Sequence, residues 1–235
     1  TDGQDGGGDY YRGICFYVKE FKKSDLPEGA EYFLEINGAN SSAEVYLNGE
    51  KLAYHHGGYS TFRVRLTDTL RDKNLLVISV DNSENMEVYP QMADFTFYGG
   101  LYRDVNIIAV EKSHFDLEYY GGPGIMVTPR LVGDDAEVEI HVFVSHLTEG
   151  QELYYTILNQ EGEAVEQWSS KETKVQMKIP NVHRWQGRRD PYLYTAEVKL
   201  MEGERDKLLH MEDILHERVI GRWLGCQEDI EKFFW

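Results

Sequence analysis

Apolar and polar residues alternate with a period of two along most of this 235-residue chain, and the runs are short. Gly13–Phe21 (GICFYVKEF) and Tyr32–Ile36 read as strands rich in aromatic and β-branched residues. Ala43–Leu47 and Glu50–Tyr54 flank Asn48-Gly49, the strongest short hairpin signal, because a type I′ turn needs positive φ at both central positions. Thr61–Leu66 places Phe62, Val64 and Leu66 on one face and Arg63 and Arg65 on the other. Leu75–Val80 and Val105–Val110 are continuous apolar runs and predict core strands. Tyr119–Gly124 (YYGGPG) then breaks the pattern and is the best linker candidate.

Beyond it, Ile125–Pro129, Ala136–Val144, Leu153–Leu158, Val175–Ile179 and Tyr194–Leu200 are short alternating strands, separated by turns such as Gly133-Asp134 and Glu161-Gly162. Val138, Ile140, Val142 and Val144 are expected to face one core. The only helix suggested is Gln227–Phe234. The expected fold class is all-β: a jelly-roll, galactose-binding-like β-sandwich followed by an immunoglobulin-like β-sandwich. The expected limits are 1–118, 119–220 and a C-terminal tail, 221–235.

Composition narrows the function classes. Hydrophobic residues make up 41% and aromatic residues 13%, as in a globular chain, and Tyr leads the aromatics with 16 copies. A formal net charge of −17 repels nucleic acid and anionic membrane surfaces, so neither is an expected partner. Cys15 and Cys226 lie near opposite ends, without CxxC spacing or a Cys/His cluster, and read as reduced thiols.

Three segments resemble glycoside hydrolase family 2, which includes β-galactosidases and β-glucuronidases. Ala43–Phe62 carries the hairpin Asn48-Gly49 and the loop His56-Gly57-Gly58-Tyr59. Asp94–Asp104 (DFTFYGGLYRD) is similar to the family's Asp…Gly-aliphatic-aromatic-Arg-Asp segment, with Arg103 and Asp104 at its end. Trp185 followed by Pro191-Tyr192-Leu193-Tyr194 is similar to a stretch late in the family's second domain.

The resemblance implies a substrate-binding role for Asp94, as the carboxylate that reaches a sugar hydroxyl and helps hold a sodium ion, and places Asp9 near the same sugar. No other cofactor is implied. For Arg103 and Asp104 the structural reading is favoured, a guanidinium and a carboxylate orienting a loop. Adjacent His55 and His56 point to opposite faces of a strand, poor geometry for one metal, and Gly57-Gly58 beside them reads as a tight turn. Trp185 and Tyr192 could stack on a sugar, but core packing is favoured.

The family's chemistry resides in a TIM barrel of roughly 250 residues, for which this chain has no room. Retaining hydrolysis needs two carboxyl groups about 5 Å apart, and the family's acid/base lies in an Asn-Glu dipeptide that this sequence lacks. No catalytic residue is therefore expected here. The implied whole is a cytoplasmic, bacterial-type β-galactosidase-like enzyme with a β-linked galactoside as substrate, its own barrel as partner and a homo-oligomeric assembly. The alternative is a free-standing carbohydrate-binding module with a sandwich spacer.

Overall fold

A computed structural model describes residues 11–88 and 98–202, together with the backbone of a strand at 215–220. Asp9, Asp94, Cys226 and the suggested helix at 227–234 lie outside the described residues. The described residues form strands and two short 3₁₀ turns, without an α-helix. The chain divides into two compact units, Thr1–Lys112 with Tyr120–Gly122, and Ser113–Tyr119 with Pro123–Trp235.

The first unit contains β1 (Ile14–Lys22), β2 (Glu31–Ile36), β3 (Ala39–Asn40), β4 (Ser42–Leu47), β5 (Glu50–His56), β6 (Phe62–Arg65), β7 (Lys73–Asp81), β8 (Gly100–Leu101) and β9 (Val105–Val110). They form a four-stranded sheet, β1-β7-β4-β5, a three-stranded sheet, β6-β2-β9, and the small pair β3-β8. Its core joins Leu34 and Ile36 of β2, Val45 and Leu47 of β4, Val64 of β6, and Ile78 and Val80 of β7. Asn48 and Gly49 have φ of 54° and 87°, the left-handed pair that a type I′ turn requires. Asn48 also ties the hairpin to its neighbours: its amide nitrogen donates to the Thr69 carbonyl at 2.9 Å, and its Oδ1 accepts from the Leu75 N–H at 3.0 Å.

Two strands differ from the sequence expectation. β7 is not buried on both faces: Leu76, Ile78 and Val80 are buried, while Leu75 is exposed and Val77 half-buried on the opposite face. β9 is, among the described residues, an edge strand in which Asn106 is exposed and the other residues are half-buried. An uninterrupted apolar run does not distinguish a central strand covered on both faces from one covered on only one, because that depends on what the rest of the chain lays over it.

The second unit contains β10 (His114–Phe115), β11 (Ile125–Val132), β12 (Asp135–Val142), β13 (Val144–Ser145), β14 (Gln151–Leu158), β15 (Ala164–Ser170), β16 (Lys174–Ile179), β17 (Leu193–Glu202) and β18 (Leu215–Ile220). The sheets β11-β12-β16 and β15-β14-β17-β18 enclose a core that includes Val138, Ile140 and Val142 on one side and Leu153, Tyr155, Ile157, Ala196 and Val198 on the other. Val144 lies in the separate strand β13, paired with Phe115, and packs half-buried against the same core as its predecessors. Gly133 and Gly162 adopt φ of 63° and 83° in the two turns read from the sequence.

Candidate functional site

At one end of the first unit, five loops are gathered by buried asparagines. β7 runs out of its apolar pattern at Asp81, and the next residue, Asn82, is only 6% exposed. Its Oδ1 accepts from the Gly13 N–H at 2.9 Å, and its Nδ2 donates to the Tyr11 carbonyl at 3.2 Å. The Arg12 guanidinium donates to the Asn82 carbonyl at 3.2 Å. Gly99 packs against the same side chain so closely that a Cβ there would lie 2.5 Å from Asn82 Cγ. Burying an amide is tolerated only when its hydrogen bonds are made, and here they are made to chain segments far apart in sequence.

Asn40 performs the same service on the neighbouring loops. It is 7% exposed and donates to the Tyr98 carbonyl at 2.6 Å. Gly58 lies against it, where a Cβ would fall 2.3 Å from its Oδ1. The Tyr102 hydroxyl donates to the Gly58 carbonyl, and burial pushes the pKa of this phenol above its ordinary value. Tyr17 of β1 completes the arrangement by accepting from the Leu101 N–H at 3.1 Å.

Each residue singled out from the sequence has a definite place. Arg103 donates to the Tyr59 carbonyl at 3.1 Å and to the Asn37 carbonyl at 3.4 Å, with its guanidinium 5.3 Å from the centre of the Tyr102 ring. The Asp104 carbonyl accepts from the Asn37 N–H at 3.1 Å. Tyr59 is exposed, and its ring lies 6.3 Å from that of Tyr102. His56 Nδ1 lies 3.2 Å from Ser42 Oγ, and its Nε2 lies 3.5 Å from Glu87. His55, on the other face of β5, stacks on Phe62 at 4.1 Å, with Nε2 3.1 Å from both the Gly57 carbonyl and Ser60 Oγ. Gly57 has φ of 114°.

In the second unit Tyr192 packs against the core and stacks on His183 at 4.0 Å. Trp185 is half-buried and Pro191 is exposed. The residues brought together are therefore Gly58, Tyr59, Tyr102 and Arg103, with Asn40 and Asn82 beneath them. The sequence reading missed the two asparagines. A polar residue ending an apolar run is the only local sign of Asn82, and its partners lie 69 and 71 positions away.

The arrangement is an anchoring one. It holds the residues that flank the segments carrying Asp9 and Asp94, namely Tyr11–Gly13 on one side and Tyr98 on the other. Two carboxylates of the described residues, Glu44 and Asp135, are held below the usual range by hydrogen bonds from Lys51 and Lys178 respectively. A glycosidase's general acid needs the opposite shift.

Burial holds His55 below its ordinary pKa, with His56 adding to the effect and the hydrogen bond to Gly57 opposing it. The folded state thus disfavours protonated His55. Its contribution to stability is present above the unfolded-state value, roughly 6.5, and is lost as pH falls through the folded value. The first unit is expected to lose stability between pH 7.5 and pH 5, and His55→Gln is expected to flatten part of that loss. Near-ultraviolet tyrosine signals during urea unfolding would measure it; an unchanged pH slope in the variant would remove His55 from the account.

Two β-sandwich units follow one another along the chain, the first with loops gathered at one end. The family model described as "Glycosyl hydrolase 2 galactose-binding domain-like" matches residues 15–128, and that described as "Glycosyl hydrolases family 2" matches residues 123–211. The chain belongs to glycoside hydrolase family 2.

Among solved structures it is similar to an FMN-binding β-glucuronidase from Facaelibacterium prausnitzii L2-6, with 39% identity and a TM-score of 0.76 over 93% of this chain and 34% of that one. Among curated relatives it is 28% identical to a β-glucuronidase of Bacteroides fragilis, covering 82% of this chain and 30% of the relative. It is also 28% identical to a β-galactosidase of Thermoanaerobacter pseudethanolicus, covering 81% of this chain and 26% of that protein. The chain thus spans about a third or less of the length of these relatives.

Proposed function

We propose that this chain is the non-catalytic front part of an exo-acting β-glycosidase that hydrolyses β-galactosides, and that its first unit completes a sugar site whose catalytic carboxylates belong to a barrel outside these residues. The observation that carries this reading is the anchoring by Asn82 and Asn40 of the residues flanking the Asp9 and Asp94 segments. A loop carboxylate offered to a sugar must be held in position to within a fraction of an ångström, and buried, hydrogen-bonded amides that fix the flanking residues provide that rigidity. In this reading Asp94 accepts a hydrogen bond from a sugar hydroxyl. The sodium ion that the family resemblance implies for Asp94 falls on a residue outside the described ones, and the proposal rests on the sugar contact alone.

A β-glucuronide is the second reading for the substrate. It is favoured by the likeness to the F. prausnitzii and B. fragilis enzymes, both described as β-glucuronidases.

The full-length enzyme should hydrolyse a chromogenic β-galactoside or β-glucuronide, and the ratio of the two rates decides between the readings. The 235-residue chain should hydrolyse neither. Asp94→Ala in the full-length enzyme should lower kcat/KM by about 10- to 100-fold, the effect of about 1.4–2.7 kcal/mol lost from the transition state, while Tm stays unchanged. Turnover by the 235-residue chain, or an activity loss that merely follows Tm, would overturn the proposal.

A further inference from the structure

Strand β1 stands at one end of the sheet β1-β7-β4-β5, and among the described residues it pairs only with β7. Sheet edges of natural proteins are normally short, charged, bulged or covered, because a long open edge recruits other strands. The opposite edge of this sheet follows that rule, since β5 carries Glu50, Lys51, His55 and His56. β1 does not. It is nine residues long and contains no proline. On one face Ile14 is 50% exposed, Phe16 67% and Val18 63%, and the apolar strip continues onto β7 through Leu75 at 42%. On the other face, which looks into the sandwich, Tyr17 remains 38% exposed and Cys15 and Phe21 are only half-buried. A strand uncovered on its outward face, half-covered on its inward face and, among the described residues, unpaired along its outer edge has the environment of an interior strand whose neighbour is missing.

We propose that β1 is completed by an extended segment of the same polypeptide from outside these 235 residues, added edge to edge as a further strand. This rests on the reading of the chain as part of a longer enzyme. The occupant's chemistry follows from β1. Opposite Phe16 and Val18 it carries apolar residues; opposite Lys19 and Lys22 it carries acidic or hydroxyl side chains, since opposite charges across a ladder attract and like charges repel. A second copy of this chain fits less well, because each copy brings a formal net charge of −17. The relatives have the necessary length: the matched chains are about three times as long as this one.

In an antiparallel ladder alternate residues direct their N–H and C=O groups to each side, so about half of the β1 amides point away from β7. Amide hydrogen exchange with residue resolution tests the proposal on the full-length enzyme and on the 235-residue chain in parallel. In the 235-residue chain the outward amides between Cys15 and Phe21 should exchange nearly unprotected, and in the full-length enzyme they should be slowed by at least about 100-fold, as expected for ladder amides. Phe16→Lys should leave the Tm of the 235-residue chain unchanged and lower that of the full-length enzyme by several degrees.

Equal exchange in the two proteins would overturn the proposal. So would protection already present in the 235-residue chain at all concentrations, which would place the covering segment within it. Protection that appears only as the 235-residue chain dimerises, measured by light scattering, would make the occupant a second copy and would also overturn it. None of these readouts requires hydrolysis, so an inactive full-length protein would count against the proposed function without touching this one.

Discussion

Tyr155→Ala is expected to destabilise the second unit by about 3–5 kcal/mol, the range for removing a large aromatic side chain from a packed core. Tyr155 of β14 is 0% exposed and sits among Leu153, Ile157, Val198 and the residues of the facing sheet. Its hydroxyl is also used: it donates to the Glu172 carbonyl at 2.6 Å, and burial raises the phenol's pKa far above its ordinary value. Packing and hydrogen bonding can be separated. Tyr155→Phe keeps the ring and leaves the Glu172 carbonyl without this donor, which should cost about 1–3 kcal/mol. Trp168 and Trp185 belong to the second unit and the described residues of the first contain no tryptophan, so tryptophan fluorescence during urea unfolding reports on the second unit. If the phenylalanine variant lost as much stability as the alanine variant, the hydrogen bond and not the packing would be the larger effect.

Gly121→Ala is expected to destabilise the first unit by about 3 kcal/mol or more, and to lower its Tm by about 10 °C for a unit of this size. Gly121 has φ of 64°, and a Cβ there would lie 2.1 Å from the Thr61 carbonyl oxygen and 2.7 Å from its carbon. Both obstacles are backbone atoms and cannot rotate away. The position matters because Arg63 fastens this segment to the sheet: its Nη1 donates to the Gly121 and Gly122 carbonyls at 3.1 and 2.9 Å, while its Nε pairs with Glu35 at 2.7 Å. Gly121→Asn provides the discriminating control. Asparagine tolerates a left-handed φ better than alanine but carries the same Cβ. If the clash dominates, both variants should be destabilised alike in tyrosine-monitored unfolding. A near-native asparagine variant would show that backbone conformation, and not space, demands glycine.

Much of the fold was legible in the sequence because it is local. Period-two alternation in Phe62-Val64-Leu66 and Val138-Ile140-Val142 marks faces that the structure buries, and positive-φ turns announce themselves through Asn48-Gly49, Gly133 and Gly162. These depend on a residue and its immediate neighbours, and so did the motifs that resembled the family. The covering of strands was decided elsewhere. Leu75–Val80 and Ile14–Val18 are both charge-free runs in the sequence, yet β7 lies between two strands with one face buried, while β1, among the described residues, stands at an edge with its outward face exposed and its inward face half-buried.

The anchoring of the candidate site was equally invisible in the sequence, for a physical reason. Asn82 and Asn40 owe their roles to partners between 58 and 71 residues distant, brought within hydrogen-bonding reach only when the sheets pair and the loops converge. A buried amide has no periodicity and no propensity to advertise it. Alternation and turn chemistry determined which segments of this protein are strands and where they reverse; the tertiary structure alone decided which strand faces remain uncovered and which polar groups are buried, because burial belongs to the assembled sheets and not to any stretch of chain.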